Sequence, residues 1–274
     1  MAADPIPAVA EAEAKGETAE IFADIRAVTG VGVVNLVWRR LAVTPGALPY
    51  AWTALKPIYA SGLAAAEGRA LRREIRPPAL PLLPKAALAA AGVDGLGLRS
   101  IRAILESYDR TNAMNLVALS ALLARIDGEE GPPAATPQPA AEPALPPLPP
   151  LPSLDALDPG LRGLVDMLND FGEEDGTVLA SMYRHLAYWP GYLALAWALL
   201  APLAASGALG EALGQARRLS ARRAAGIASA LAPAPAPDPA ALADVQETLR
   251  LFTRHPIAKM TAICRALASA TPAP

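Results

Sequence analysis

The sequence predicts an all-α protein built from one helical unit that is used twice. Alanine and leucine dominate the chain, and the alternating polar and apolar pattern of β-strands is absent. The segment 38–62 also aligns without a gap with the segment 183–207, and about half of the positions are identical. Tryptophan, proline and glycine recur in register as well as alanine and leucine. A repeat of this length indicates a duplicated structural unit.

Both copies have the same predicted order of helices. A short amphipathic helix is followed by a helix around Trp38 or Tyr183 and then by a helix that begins at a Pro-Gly dipeptide. Proline is favoured there because the first turn of a helix leaves its amide donors unused. A basic helix, a proline-rich loop and a long closing helix complete each copy. The predicted ranges are 17–28 and 159–171 (amphipathic), 64–75 and 211–230 (basic), and 98–126 and 239–270 (closing).

A proline-rich tract separates the two copies. Ten of the 29 prolines lie between Pro132 and Pro152, and such a tract cannot form a helix because proline lacks the amide donor. We interpret it as a semi-extended tether, with a docking site for a proline-recognition module as the alternative. The predicted organisation is a first helical repeat at 1–130, a linker at 131–153 and a second helical repeat at 154–274. The two homologous repeats predict an intrachain pseudo-dimer.

Composition argues against several classes of function. A net charge of −2 offers no positive field for nucleic acid. Two histidines and one cysteine make a histidine–cysteine metal site unexpected, and they exclude an internal disulfide. We therefore expect no metal, no cofactor and a reducing, cytoplasmic location. The N-terminal segment is acidic and lacks the basic and apolar regions of a signal peptide.

One stretch is long and apolar enough to suggest a membrane span. No acid, lysine or arginine occurs between His185 and Gly210. Pro190 and Pro202 interrupt this stretch, however, and the equivalent helix of the first copy carries Lys56. Since equivalent helices should share one environment, we expect two buried core helices and no contact with a membrane.

Asn112 is the polar residue that the pattern singles out. It falls on the apolar face of the first closing helix, where an unpaired carboxamide would cost on the order of 1–3 kcal/mol. It could orient a water or a polar ligand, or a neighbouring carbonyl or buried water could satisfy it. In the repeat alignment Asn112 is equivalent to Pro256, and Leu36 is equivalent to Ser181. A pocket on a pseudo-twofold axis begins symmetric, so we expect the polar residues Asn112 and Ser181 to face one pocket between the halves.

Three segments resemble a known family. The runs RAVTGVGVVNLVWRRLAVTPGALPYAW (26–52), YDRTNAMNLVALSAL (108–122) and SMYRHLAYWPGYL (181–193) are similar to group I, non-stereospecific 2-haloacid dehalogenases, also filed as halocarboxylic acid dehydrogenases. The resemblance covers most of the chain outside the linker. It implies an all-helical pseudo-dimer with its active site between the halves. It also implies hydrolysis of 2-halocarboxylic acids of either hand, in which an aspartate is the general base for a water that attacks C2.

The resemblance assigns family roles to individual positions. The asparagine that helps to hold the water falls on Asn112, and a pocket serine falls on Ser181. The catalytic aspartate falls on Met182, whose thioether cannot accept a proton from water. Two aromatic pocket positions fall on Val33 and Leu36. Loss of a general base typically costs about 10²–10⁴ in rate, so the resemblance implies that the family activity is altered or lost here.

Two main hypotheses remain open from the sequence. In the first, the protein is a family hydrolase with another base, for which Asp175, Tyr183 and Asp109 are candidates. In the second, it is a non-catalytic binder of a small apolar or carboxylate ligand, or a helical scaffold. Kinship with helical carboxymuconolactone decarboxylases ranks last, because their redox chemistry needs paired cysteines and only Cys264 is present. The expected partner is a small molecule, with 2-halocarboxylic acids as the first class to test, and a homodimer is compatible with the long apolar helices.

Overall fold

The computed structural model describes residues 6–129, 131, 144–145, 147–172 and 178–274. These residues form twelve α-helices and three short 3₁₀ turns, with no β-strand among them. The all-α prediction is therefore confirmed. The helices are α1 (Gly16–Thr29), α2 (Leu36–Leu41), α3 (Ala47–Ala60), α4 (Leu63–Glu74), α5 (Lys85–Ala90), α6 (Gly95–Asp127), α7 (Pro159–Asn169), α8 (Ser181–Leu186), α9 (Pro190–Ala205), α10 (Ala208–Ile227), α11 (Pro239–Arg254) and α12 (Pro256–Ala270).

The structure differs from the predicted helices in two places. The short helix α5 follows the first predicted proline-rich loop, 76–84, and the prediction did not include it. The predicted closing helix 239–270 is broken into α11 and α12 at His255, whose φ of −112° and ψ of −91° leave the helical region. The break occurs because Pro256 has no amide proton to donate to the preceding turn. The equivalent helix α6 runs through Asn112 without interruption.

The long helix α6 belongs to both hydrophobic cores of the molecule. Its 33 residues span about 50 Å. The C-terminal part packs into a first core around Trp38 and Trp52, whose rings meet edge to face with centroids 5.5 Å apart. The N-terminal part packs into a second core around Tyr183 and Tyr192. The two cores therefore share one continuous helix.

Each core combines residues from both copies of the sequence repeat. The first core includes Leu249 and Phe252 of α11, and the second includes Ile101 and Ile104 of α6. Residues that are far apart in the sequence thus meet along α6. The repeat boundaries at 130 and 154 stay a prediction, and much of the predicted linker, 132–143 and 146, lies outside the described residues.

Charged side chains connect helices that are distant in sequence. Arg223 of α10 lies 2.6 Å from a carboxylate oxygen of Glu67 on α4, which is 2% exposed. Arg40 at the end of α2 lies 2.6 Å from Asp244 of α11. Arg125, in the last turn of α6, donates to the carbonyl oxygens of Ala228, Leu231 and Ala232. Because these partners are largely buried, we expect each pair to hold the geometry of its helices.

No single helix in the described ranges is both long and apolar enough to cross a bilayer. Within these ranges, α9 and the segment Ala208–Ala230 together are long and apolar enough, but their axes are bent by 85° relative to each other.

The close approach of α4 to the middle of α6 depends on a glycine. A Cβ atom at Gly68 would lie 2.8 Å from the backbone nitrogen of Met114 and 2.9 Å from its Cα. We predict that Gly68→Ala destabilises the protein by about 1–2 kcal/mol, because overpacking outweighs the gain in helix propensity.

Thermal or urea denaturation measures this effect, and Gly163→Ala in α7 is the matched control. No atom lies within 4 Å of a Cβ placed at Gly163. That substitution should stabilise the protein by about 0.5–1 kcal/mol, as alanine does in an open helix. Equal shifts in both variants would contradict the proposed close contact.

Candidate functional site

A cavity of about 310 Å³ lies where the middle of α6 meets α8 and the loop that enters α2. The residues 31–37 form one side of it, and 178–181 form another. Residues 148–151, at the end of the proline-rich tract, and residues at the junction of α11 and α12 complete the lining. Its volume suits a small organic molecule.

Positions that are equivalent in the sequence repeat line this cavity in pairs. Leu36 and Ser181 form one pair, and Asn112 and Pro256 form a second. Tyr108, which is equivalent to Phe252, contributes a third. In each pair one residue is polar and the other is apolar. At these three pairs the equivalent positions differ in polarity, whereas the equivalent pair Val33 and Val178 in the same lining is apolar on both sides.

Four of the five residues singled out from the sequence line the cavity together. They are Asn112, Ser181, Val33 and Leu36. Met182 does not belong to the lining. It is fully buried in the second core, where its Sδ lies 3.2 Å from Sγ of Cys264. The position that the family resemblance assigns to an aspartate therefore packs against a buried thiol.

Asn112 is held by its own helix. Its Nδ2 donates to the carbonyl oxygen of Tyr108, one turn earlier, at 2.8 Å. This bond fixes the direction of the carboxamide, because the opposite orientation would bring two acceptor oxygens together. Among the described residues, no donor bonds to Asn112 Oδ1. The carboxamide is thus partly satisfied by a neighbouring carbonyl, and its oxygen is available to a water or ligand in the cavity.

A second carboxamide on the same helix has a structural role. Asn115 accepts a hydrogen bond from the hydroxyl of Tyr59 at 2.8 Å and donates to Oδ1 of Asn35 at 3.2 Å. Because Asn35 precedes the first residue of α2, this network ties α2 and α3 to α6. It fixes the wall of the cavity that carries Val33 and Leu36.

Tyr108 and His185 form a hydrogen-bonded pair in the cavity lining. The hydroxyl of Tyr108 lies 2.7 Å from Nδ1 of His185, and Nε2 of His185 lies 3.1 Å from the carbonyl oxygen of Pro149. A carbonyl can only accept, so Nε2 carries the proton. Nδ1 therefore accepts from the Tyr108 hydroxyl. The two rings also meet edge to face, with centroids 5.6 Å apart.

Burial controls the protonation of this pair. Burial lowers the pKa of His185 to about 4, and the positive charge of Arg184 acts in the same direction, against the opposing bond to Pro149. Burial also raises the pKa of Tyr108 well above its usual value, while the positive charge of Arg184 opposes that shift. Near neutral pH both side chains are thus uncharged.

Sequence reasoning missed this pair, although the spacing contained a signal for it. Tyr108 precedes Asn112 by four residues, and His185 follows Ser181 by four. Residues four apart lie on the same face of a helix. Each candidate residue therefore had a titratable neighbour on its own face. The contact between the two faces depends on how α6 and α8 pack, which periodicity does not encode.

The end of the proline-rich tract forms a strap over the cavity. Arg184 donates through Nε and Nη2 to the carbonyl oxygen of Pro152, at 3.0 and 2.6 Å. The Tyr188 hydroxyl donates to the carbonyl oxygen of Pro150 at 2.9 Å. Carbonyls of a proline-rich segment have no helical partner, so side chains of a neighbouring helix satisfy them. The interpretation of this tract as a plain tether is thus incomplete, because its described end is bound to α8 and to the residues that follow it.

No residue that lines the cavity carries a carboxylate, within the part of the chain that the structure describes. Asp109 lies outside the lining and contacts Arg72 and Arg265, at 3.2 and 3.4 Å. Burial raises its pKa. Tyr183 is buried in the second core, and Asp175 lies outside the described residues. The two described alternatives to the missing aspartate are therefore away from the cavity wall.

The buried histidine predicts a specific dependence of stability on pH. The unfolded protein binds a proton at His185 near pH 6.5, and the folded protein does so near pH 4. Stability should therefore fall as the pH decreases from about 6.5 to 4, by roughly 3 kcal/mol from this residue. Urea denaturation across that range measures the slope, and His185→Gln should reduce it.

The control for this prediction is His255→Gln, which removes the other histidine and leaves the cavity intact. It should retain the slope of the wild-type protein between pH 4 and 6.5. An unchanged slope in His185→Gln would contradict the burial of a neutral imidazole.

Comparison with known proteins identifies the fold. No family model matches the chain, and no curated protein matches it. Among solved structures, a D-2-haloacid dehalogenase mutant superposes with a TM-score of 0.78 at 17% identity, covering 99% of this chain and 98% of the other. A D-2-haloacid dehalogenase mutant with D-2-CPA gives 0.73 at 18% identity, with 98% and 97% covered. D-2-haloacid dehalogenase with L-LA gives 0.72 at 18% identity, with 98% of each chain covered. The chain therefore has the helical fold of D-2-haloacid dehalogenases over its full length.

Proposed function

We propose that this protein is a divergent haloacid dehalogenase-like hydrolase that binds a small 2-halocarboxylic acid in the cavity between its two repeats. The observation that carries the proposal is the cavity itself, which Asn112 and Ser181 line together. The shared fold with D-2-haloacid dehalogenases supports it, as do the ligands D-2-CPA and L-LA in two of those structures.

The resemblance to the group I, non-stereospecific enzymes extends this proposal. The paired lining of the cavity by equivalent positions supports an intrachain pseudo-dimer, with repeats at 1–130 and 154–274. The resemblance to that group implies acids of either hand. We therefore expect both hands of the substrate to bind, even though the structural relatives are named for the D form.

The lining suits an anion with a short apolar part. Val33 and Leu36 offer apolar surface to the carbon atoms, and Arg39 adds positive charge to the same wall. Ser181 and Asn112 supply hydrogen-bonding groups. A second cavity, of about 320 Å³, shares Thr111 with the first and is lined by Arg69, Arg72 and Arg110.

The proposed reaction is a displacement by water. Asn112 Oδ1 accepts a hydrogen bond from a water, whose oxygen forms a bond to C2 while the halide leaves with the electron pair of the broken bond. A proton of that water has to pass to a base. The family aspartate is replaced by Met182, which packs away from the cavity, so this step is where the protein departs from the family.

The second candidate is a binding protein without hydrolysis. It is favoured by the absence of a carboxylate from the described lining and by the burial of Met182. In that case the same cavity would hold a small carboxylic acid without cleaving its carbon–halogen bond, or the protein would act as a helical scaffold.

Halide release from each hand of 2-chloropropanoate tests these alternatives. We expect release from both hands, and we expect Asn112→Ala to reduce kcat/KM by about 10-fold or more because the attacking water loses its acceptor. Calorimetric titration with both hands of 2-chloropropanoate and with lactate measures binding separately. Thermal denaturation of the variant controls for folding.

Three outcomes separate the candidates. Halide release by the wild-type protein that decreases in Asn112→Ala supports the hydrolase. Binding without release supports the binding protein. Absence of both would reject a haloacid site in this cavity.

A further inference from the structure

We propose that Tyr108 and His185 together accept the proton of the attacking water, in place of the carboxylate that this cavity lacks. The inference rests on the proposed hydrolysis and assigns its missing base. It arises from a pair that no sequence motif identified: a phenol hydroxyl bound to an unprotonated imidazole nitrogen at 2.7 Å, with both residues lining the cavity.

The water-holding residue and the phenol belong to the same turn of α6. Asn112 Nδ2 donates to the backbone carbonyl of Tyr108, so the two residues keep a fixed relation to each other. Ser181 lines the same cavity. A water on Asn112 Oδ1 would therefore share the cavity with the Tyr108 hydroxyl.

The hydrogen bonds of His185 define the direction of proton transfer. The Pro149 carbonyl holds the proton on Nε2, and Nδ1 accepts from Tyr108. In the proposed step the water gives a proton to the phenol oxygen, and the phenol gives its own proton to Nδ1. The water oxygen bonds to C2, and the halide departs with the bonding electron pair. The products are a 2-hydroxy acid, a halide ion and protonated His185, which later releases its proton to solvent.

The basicity of this pair matches the task. The pKa of His185, about 4, is close to the ordinary value of an aspartate. The imidazole is therefore neutral near pH 7, and its Nδ1 is free of a proton and able to accept one through Tyr108. Two neighbouring groups act on the pair. The positive charge of Arg184 lowers the pKa of His185. The thiol of Cys264 raises the pKa of Tyr108, and burial raises the pKa of that thiol itself. The negative charge of Asp109 also raises the pKa of that thiol.

Two other polar side chains of the cavity lining, unlike this pair, are engaged in structural hydrogen bonds. Thr111 donates to the carbonyl of Ser107 at 2.8 Å, and Asn115 is held by Tyr59 and Asn35. Of the side chains lining the cavity in the described ranges, His185 is the one whose neutral form presents an acceptor nitrogen to a proton donor. Proton transfer along this bond requires no movement of the rings.

Kinetics of Tyr108→Phe and His185→Gln test the inference. Each variant should lower kcat for halide release by about 10²–10⁴ and change KM by less than about threefold. The double variant should be no slower than the slower single variant, because the two groups act as one unit. The wild-type kcat/KM should stay constant above about pH 5 and fall as the pH approaches 4.

Tyr188→Phe is the matched control. It removes a tyrosine hydroxyl that bonds to the same strap but lies outside the cavity lining. It should retain wild-type release, whereas a purely structural role for the strap contacts would lower release in this variant as well. Nitrogen NMR of His185 provides a readout independent of activity. It should show the Nε2–H form near pH 7, with an Nδ1 signal that shifts in Tyr108→Phe.

The outcomes distinguish this inference from the proposed function. Halide release by the wild-type protein, with a large loss in each single variant, supports the proposed hydrolysis and the proton relay. Wild-type release that persists in Tyr108→Phe overturns the relay and leaves the hydrolase in place. Additive losses in the double variant also overturn it. Absence of halide release by the wild-type protein overturns the proposed hydrolysis and the proton relay together.

Discussion

The continuity of α6 is the constraint on which the rest of the molecule depends. One half of this helix is part of the first hydrophobic core and the other half is part of the second. The cavity lies against its middle, where Tyr108 and Asn112 are one turn apart. Since the helix is rigid over this distance, the two cores fix the position of both side chains. The close contact between Gly68 of α4 and Met114 of α6 also fixes the position of this part of the helix.

The proline-rich tract contributes more than a connection between repeats. Its carbonyl oxygens cannot be satisfied within a helix, and three of those at 149–152 accept hydrogen bonds from side chains of 184–188. One of these bonds selects the protonated nitrogen of His185. The described end of this tract thus also lines the cavity and sets the tautomer of a residue in its wall. A segment without regular structure in this way determines the chemistry available to a helix.

Methionine at position 182 suits its surroundings in the second core. Met182 packs against Cys264, and burial raises the pKa of that thiol so that it stays uncharged. A carboxylate at this fully buried position, beside a neutral sulfur, would cost several kcal/mol unless it were paired. The apolar pair is therefore compatible with a well-packed core. The polar chemistry of the cavity is concentrated instead on Asn112, Ser181, Tyr108 and His185.

The sequence by itself determined the helices and the polar positions that share the cavity, because these depend on local periodicity and on alignment of the two similar segments, whose origin in a duplication stays a prediction. The bounds of most helices agree with the prediction to within a few residues, and Asn112 and Ser181 line one cavity, while their roles stay predictions. Only the tertiary structure decided that Met182 packs into a core, that α11 and α12 part at His255, and that Tyr108 meets His185 across 77 positions of sequence. The physical reason is that helical periodicity assigns a residue to a face, whereas the packing of helices decides which faces meet.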